Sequence, residues 1–213
     1  MVAVRVSPLN CERCGQPSDG IVCACGFPRA CPSALSGLDG DPFALFGVAR
    51  SFAQDRPALE KEFYRLSRAL HPDRFAQADT EARGRSLEWM SFVNQAYQTL
   101  KDPEKLTEYL LKGEGLLATG GGRPTDIPMD LAEAWFELQE KMMDDPAAAR
   151  ADVAAFEAKL AALREQGQAE IVRLRTEYDR QPGRPALAAI ARVRDRGNYL
   201  ESLARDLARV KGR

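Results

Sequence analysis

From residue 41 onward the apolar residues recur at helical spacing and almost never alternate, which argues against a sheet over most of the chain. The stretch "RPALEKEFYRLSRAL", residues 56–70, carries the pattern most plainly. Leu59, Phe63, Leu66 and Leu70 fall at i, i+4, i+7 and i+11, one narrow stripe on a helix. Lys61, Arg65 and Arg68 repeat the spacing i, i+4, i+7, and at about 100° per residue they lie roughly opposite that stripe. The helix therefore has a greasy face and a basic face. It ends at Leu70 or His71, because Pro72 disfavours helical geometry in the residue before it.

The rest of the chain divides into helices on the same grounds. Asp41-Pro42 is a helix start, with Asp as cap and Pro at the first helical position, opening a short helix that holds Phe43, Leu45 and Phe46. A helix over Thr80 to Leu100 is predicted to bury Trp89, Met90, Val93, Ala96, Tyr97 and Leu100, with Lys101-Asp102-Pro103 as its stop. This makes an antiparallel helical hairpin whose loop begins with His71-Pro72-Asp73. "GEGLLATGGGRPTDIP", 113–128, reads as a linker; it lacks the Gly-Lys-Ser/Thr ending of a phosphate-binding loop. Residues 129–213, rich in Ala, Glu, Arg and Leu, are predicted to form a three-helix bundle. Its helices run over Pro128–Met143, Pro146–Arg180 and Pro185–Val210, with "QPGRP" (181–185) as the last turn. Val153, Phe156, Leu160, Leu163, Ile171, Leu174 and Tyr178 supply the second helix's apolar positions, and Leu187, Ile190, Val193, Leu200, Leu203 and Leu207 the third's. The expected fold class is all-α. The expected divisions are a cysteine-rich segment 1–40, a hairpin domain 41–112, a linker 113–128 and a bundle 129–213.

Composition narrows the function classes. An apolar fraction of 45% belongs to a globular chain, and a net charge of −1 gives no basic field for nucleic acid. No run approaches the roughly 18 apolar residues that span a membrane. "MVAVRVSPLN" lacks the apolar core of a secretory signal and the Arg- and Ser-rich character of a transit peptide. The expectation is a soluble, cytoplasmic chain (or one of the mitochondrial matrix in a eukaryotic source) that binds neither nucleic acid nor membrane.

All five cysteines lie within the first 31 residues, which argues for metal, since a disulfide scaffold would spread them through the fold. Cys11 and Cys14 form a C-x2-C pair in "CERCG"; eight residues later come Cys23 and Cys25, then Cys31. Two pairs about ten residues apart can close a tetrahedral four-thiolate zinc site from Cys11, Cys14, Cys23 and Cys25. The second pair is C-x-C where C-x2-C is usual, so Cys31 can stand in for Cys23 or Cys25. Free thiols and an iron–sulfur or redox role are the competing chemistries. A segment this small cannot bury a sufficient core, so structural zinc would supply its folding energy. Only Arg5, Arg13 and Arg29 lie nearby, too few for a nucleic-acid surface.

His71 is the chain's single histidine. The plainest reading of His71-Pro72-Asp73 is a helix stop with solvated neighbours. A catalytic base oriented by Asp73 is a second reading, but no G-x-S-x-G elbow is present and the dyad lacks a third partner. Recognition is the third: Pro72 stiffens the tip and holds His71 and Asp73 out at low entropic cost. The basic face beside them has nothing in the sequence obviously placed to neutralise it, which describes a docking surface for an acidic partner.

At these residues the chain resembles a J domain. "DPFALFGV" is similar to its opening, "FYRLSRALHPDRF" to its second helix and His-Pro-Asp loop, and "VNQAYQTLKDPEKLTEYLL" to its third helix and exit. The resemblance implies stimulation of ATP hydrolysis on a DnaK-type chaperone by His71, Pro72 and Asp73, with Lys61, Arg65 and Arg68 as the chaperone-facing basic side. No Gly/Phe-rich stretch follows; a J domain with a helical bundle resembles the HscB family of iron–sulfur co-chaperones. "FELQEKM" (136–142) and "NYLESLARDL" (198–207) resemble its bundle, and the cysteines resemble its zinc-bearing members. That family implies a non-enzymatic regulator with an HscA- or DnaK-type ATPase and an IscU-like scaffold as partners. The scaffold surface would include Leu131, Phe136, Glu137, Glu140 and Tyr199. Leu131, Ala132 and Glu133 depart from the bulkier apolar patch usual there, and plain bundle packing is the alternative for Phe136 and Tyr199. The rival functions are a J protein with another client and a His/Cys-dependent enzyme.

Overall fold

The computed structural model describes residues 9–18, 20–31, 40–117 and 129–211. The N-terminal "MVAVRVSP" and most of the expected linker, 118–128, lie outside the described residues. The chain divides into two compact units, Met1–Tyr109 and Leu110–Arg213. Seven α-helices account for most of the described residues, and among those residues no helix is long and apolar enough to cross a membrane.

In the first unit, two-residue strands β1 (Leu9–Asn10) and β2 (Pro17–Ser18) pair antiparallel around the first cysteine pair. Helix α1 (Pro42–Phe46) is capped by Asp41, whose carboxylate accepts the Phe43 N–H, and it closes on Gly47 at φ 62°. Helix α2 (Arg56–Leu70) is capped by Asp55 and packs antiparallel on α3 (Thr80–Lys101). Leu59, Leu66 and Leu70 of the predicted stripe are buried. Phe63 is half-buried and stacks on Tyr97 with ring centroids 4.3 Å apart. On α3, Trp89, Val93, Ala96, Tyr97 and Leu100 are buried as expected, whereas Met90 is only half-buried; Ala82 and Ser86 extend the stripe toward the helix start.

Pro103 ends α3 but also begins another helix, α4 (Pro103–Gly113), which the sequence reading did not anticipate. Asp102 makes this possible: its Oδ1 accepts the N–H groups of Glu104 and Lys105, so the residue that stops one helix caps the next. Residues 113–116, read as linker, finish α4. The Leu116 N–H reaches the Leu111 carbonyl and the Gly115 N–H that of Lys112, with Gly115 at φ 65° in the left-handed region that glycine supplies.

The second unit holds α5 (Met129–Asp144), α6 (Arg150–Arg180) and α7 (Arg184–Lys211). Helix α6 starts four residues later than Pro146, because Asp145 takes the N–H groups of Ala147 and Ala148 and holds a turn there. Its core joins Leu131, Trp135 and Leu138 of α5 to Val153, Phe156 and Leu160 of α6 and Leu200, Leu203 and Leu207 of α7. Trp135 stacks on Phe156 at 5.6 Å. The predicted positions Leu187, Ile190 and Val193 of α7 and Leu174 and Tyr178 of α6 are buried too.

Candidate functional site

His71 stands where α2 stops. It occupies the C-cap position with extended backbone (φ −59°, ψ 130°), and Pro72 opens a 3-10 turn over Pro72–Phe75. The Asp73 N–H donates to His71 Nδ1 at 3.3 Å, and Asp73 Oδ2 lies 3.5 Å from the same nitrogen. With Nδ1 accepting, the neutral ring carries its proton on Nε2. The side chains of His71 and Asp73 are 54% and 90% exposed, so both are open to a partner. Beneath them the turn is anchored twice. Ser86, fully buried on α3, donates its hydroxyl to the last α2 carbonyl, Leu70, at 2.7 Å. Phe75 is buried among Cys11, Cys23, Phe27 and Ala82. The sequence reading named neither anchor. Ser86 could have been found from its place between Ala82 and Trp89 on the apolar stripe, where a polar residue needs a buried partner.

Lys61, Arg65 and Arg68 are all exposed on α2. The face is less open than its sequence implied, because Arg65 forms a two-pronged pair with Glu62 at 2.8 and 2.5 Å. Those hydrogen bonds hold the guanidinium's pKa above its usual range. Among the described residues neither Lys61 nor Arg68 has an ion pair, so those two are the uncommitted charges of the predicted basic face.

The four thiols of Cys11, Cys14, Cys23 and Cys25 come together, all Sγ atoms within 4.8 Å of one another. A tetrahedral ion at a metal–sulfur distance of about 2.3 Å sets sulfurs about 3.8 Å apart. Cys11 to Cys25 is 3.8 Å and Cys14 to Cys23 is 3.7 Å. Gly15 and Gly26 follow the two pairs at φ 72° and 83°, conformations in which backbone amides can turn toward sulfur. The N–H groups of Cys14 and Arg13 lower the Cys11 thiol to about 6, which readies it as a thiolate. Cys14 accepts the Gln16 N–H, which lowers its pKa, but desolvation and the neighbouring thiols outweigh this and push it up to about 11. Four thiolates this close repel one another, and a divalent cation is what such a set accommodates. Cys31, fully buried, is not in the group, so it replaces neither Cys23 nor Cys25.

On the bundle the predicted surface separates. Leu131 is 0% exposed and belongs to the core, so its assignment to a docking surface is corrected: it sits one turn before Trp135 on α5's buried stripe. Phe136 is 64% exposed, with Glu133, Glu137 and Glu140 around it on the outer face. This answers the packing alternative for Phe136. Tyr199 is half-buried and packs against the core cluster, so for that residue packing and presentation coexist. Met143, two turns on from Phe136 and 83% exposed, extends the outer apolar line; the spacing i+7 was its signal in the sequence.

Comparison with known proteins agrees with this geometry. Residues 41–109 match the DnaJ domain family. The co-chaperone protein HscB homolog of Burkholderia multivorans (strain ATCC 17616 / 249) is 32% identical over 156 residues, covering 73% of this chain and 87% of that protein. The homolog of Burkholderia mallei (strain SAVP1) is 30% identical over the same shares. The crystal structure of human co-chaperone protein HscB superposes with a TM-score of 0.58 over 93% of this chain and 98% of that one; at 23% identity the likeness concerns the fold. With an exposed His-Pro-Asp turn inside a matched J domain, an all-α bundle after it and relatives matched along most of their length, this chain belongs to the HscB family of J-domain co-chaperones, whose partner is an Hsp70-type chaperone.

Proposed function

We propose that this co-chaperone stimulates ATP hydrolysis by an HscA- or DnaK-type chaperone and delivers an IscU-like iron–sulfur cluster scaffold to it. The observation that carries the first half is the exposed His71–Asp73 pair on a proline-stiffened turn, directly after a helix with two uncommitted cations. His71 presents Nε2 as a donor, Asp73 an acceptor, and Lys61, Arg65 and Arg68 steer and register an acidic surface. The second half is supported by Phe136 as an apolar anchor with an acidic rim of Glu137 and Glu140, and by Tyr199 on α7. Zinc fits the four-thiol site by distance and donor chemistry; Cys11, Cys14, Cys23 and Cys25 would hold it, and its role is structural. The protein itself performs no chemistry in this scheme: the residues bind, orient and trigger. The proposed divisions are 1–40 as the zinc segment, 41–112 as the J domain, 113–128 as the linker, whose first residues close α4, and 129–213 as the scaffold-binding bundle. The test is a single-turnover ATPase assay on a DnaK-type chaperone, with and without this protein, alongside a pulldown from the native organism. Faster hydrolysis and recovery of a cluster scaffold are expected. No acceleration refutes the J-domain role, and a pulldown that recovers another client in place of a scaffold refutes the delivery role.

A further inference from the structure

Taking His71–Asp73 as the chaperone-facing loop, we propose that the cysteine segment is its positioning device, and that Phe75 is the contact through which a metal held by Cys11, Cys14, Cys23 and Cys25 sets the loop's geometry. Of residues 71–79, Phe75 is the one that is buried, 5% exposed, so it is the loop's main apolar anchor, with Ala78 packed partly buried beside it. It shares one buried cluster with the metal-site residues Cys11 and Cys23, with Phe27 of the same segment and with Ala82 of α3, and Val22 and Ala78 pack against that cluster. The segment is fastened to α3 at three successive places. Arg13, lying between the first two cysteines, pairs at 3.0 Å with Asp79, which caps α3 through the Ala82 N–H. Arg85 pairs with Glu12 as well as Glu81, and its guanidinium lies 4.8 Å over the Phe27 ring. Trp89, buried, donates its indole N–H to the Arg29 carbonyl at 2.8 Å. Among the described residues of 9–31 the regular structure is two paired dipeptides and one isolated bridge, too little to hold the wall of a pocket unaided. A metal that orders this segment therefore orders the face against which Phe75 rests.

The coupling is reciprocal: whatever factor the metal contributes to loop order, the loop contributes to metal affinity. Hydrogen exchange on the full chain reads the first direction. Removing the metal by chelation should speed exchange of the Arg74, Ala76 and Ala78 N–H groups, which close the turn on His71, Asp73 and Phe75, by about tenfold or more, with amides in α6 and α7 unchanged. Equal protection of the turn with and without metal overturns the proposal. Titration with Co2+ against a competing chelator reads the second. Phe75→Ala should weaken Co2+ affinity by about tenfold, and Phe75→Leu should restore most of it. Equal Co2+ affinity in all three chains also overturns the proposal; if Phe75→Ala fails to fold, the exchange result on the unaltered chain decides. Should the metal-loaded chain fail to stimulate a DnaK-type ATPase at all, the chaperone-facing reading falls, while the metal–loop coupling is still judged by exchange and titration alone.

Discussion

A single exposed histidine and a single exposed phenylalanine carry the most testable consequences at the scale of the residue. His71→Gln changes a side chain that is more than half exposed. Its melting temperature should match the wild type, since surface changes usually stay within about 0.5 kcal/mol. Stimulation of the partner ATPase should be lost; retained stimulation in a folded mutant would dismiss the His-Pro-Asp reading. On α5, two residues five positions apart should behave oppositely. Leu131→Ala opens a cavity in the bundle core and should cost about 2–5 kcal/mol of stability, read from a denaturant midpoint. Phe136→Ala should leave that midpoint unchanged and weaken scaffold binding about thirtyfold, as expected for an anchor worth about 2 kcal/mol. Unchanged binding by a folded Phe136→Ala would rule out this face.

At the scale of the element, helix boundaries here are decided by short side chains more than by apolar periodicity. Asp41, Asp55, Asp79 and Asp102 each place a carboxylate on backbone N–H groups at a helix start. Asp102 is the instructive case, because the residue that follows the end of α3 is also the cap of α4, which opens on Pro103. Asp102→Ala removes the acceptor for two N–H groups at the start of α4 and should destabilise the protein by about 1 kcal/mol, measured by urea unfolding followed by circular dichroism. No change would mean that the tertiary burial of Leu106, Leu110 and Leu111 alone sets this boundary.

At the scale of the whole molecule the metal segment and the bundle fall in different compact units, so they should respond separately to metal removal. The purified chain should contain about one zinc per molecule, by metal analysis, as a four-thiolate site requires. Chelation should unfold residues 9–31 and leave the helices of the bundle intact. Tryptophan emission offers a local readout. Trp89 is bonded to the Arg29 carbonyl and should shift to the red when that segment is lost, while Trp135, stacked on Phe156 in the bundle, should not. A Trp135→Phe chain isolates the first signal, and an unshifted Trp89 after complete metal removal would show that the segment holds without the ion.

Much of this was legible in the residues alone. Apolar spacing determined an all-α chain and six of its helices, since burial of one stripe is a local property of sequence. Cysteine spacing determined a four-thiol site, and the resemblance carried by 41–111 determined where a histidine would be presented. Tertiary structure decided the rest, because each remaining question concerned which groups meet across long separations. Proximity of sulfurs chose Cys25 and excluded Cys31. Packing on α6 and α7 turned Leu131 inward and left Phe136 outside, although both are apolar residues of one helix. Meetings of residues far apart in the chain, Phe27 in one buried cluster with Phe75 and Arg29 bonded to Trp89, set the metal segment beneath the loop. No local pattern encodes such a meeting, which depends on how complementary surfaces bury each other once the helices have formed.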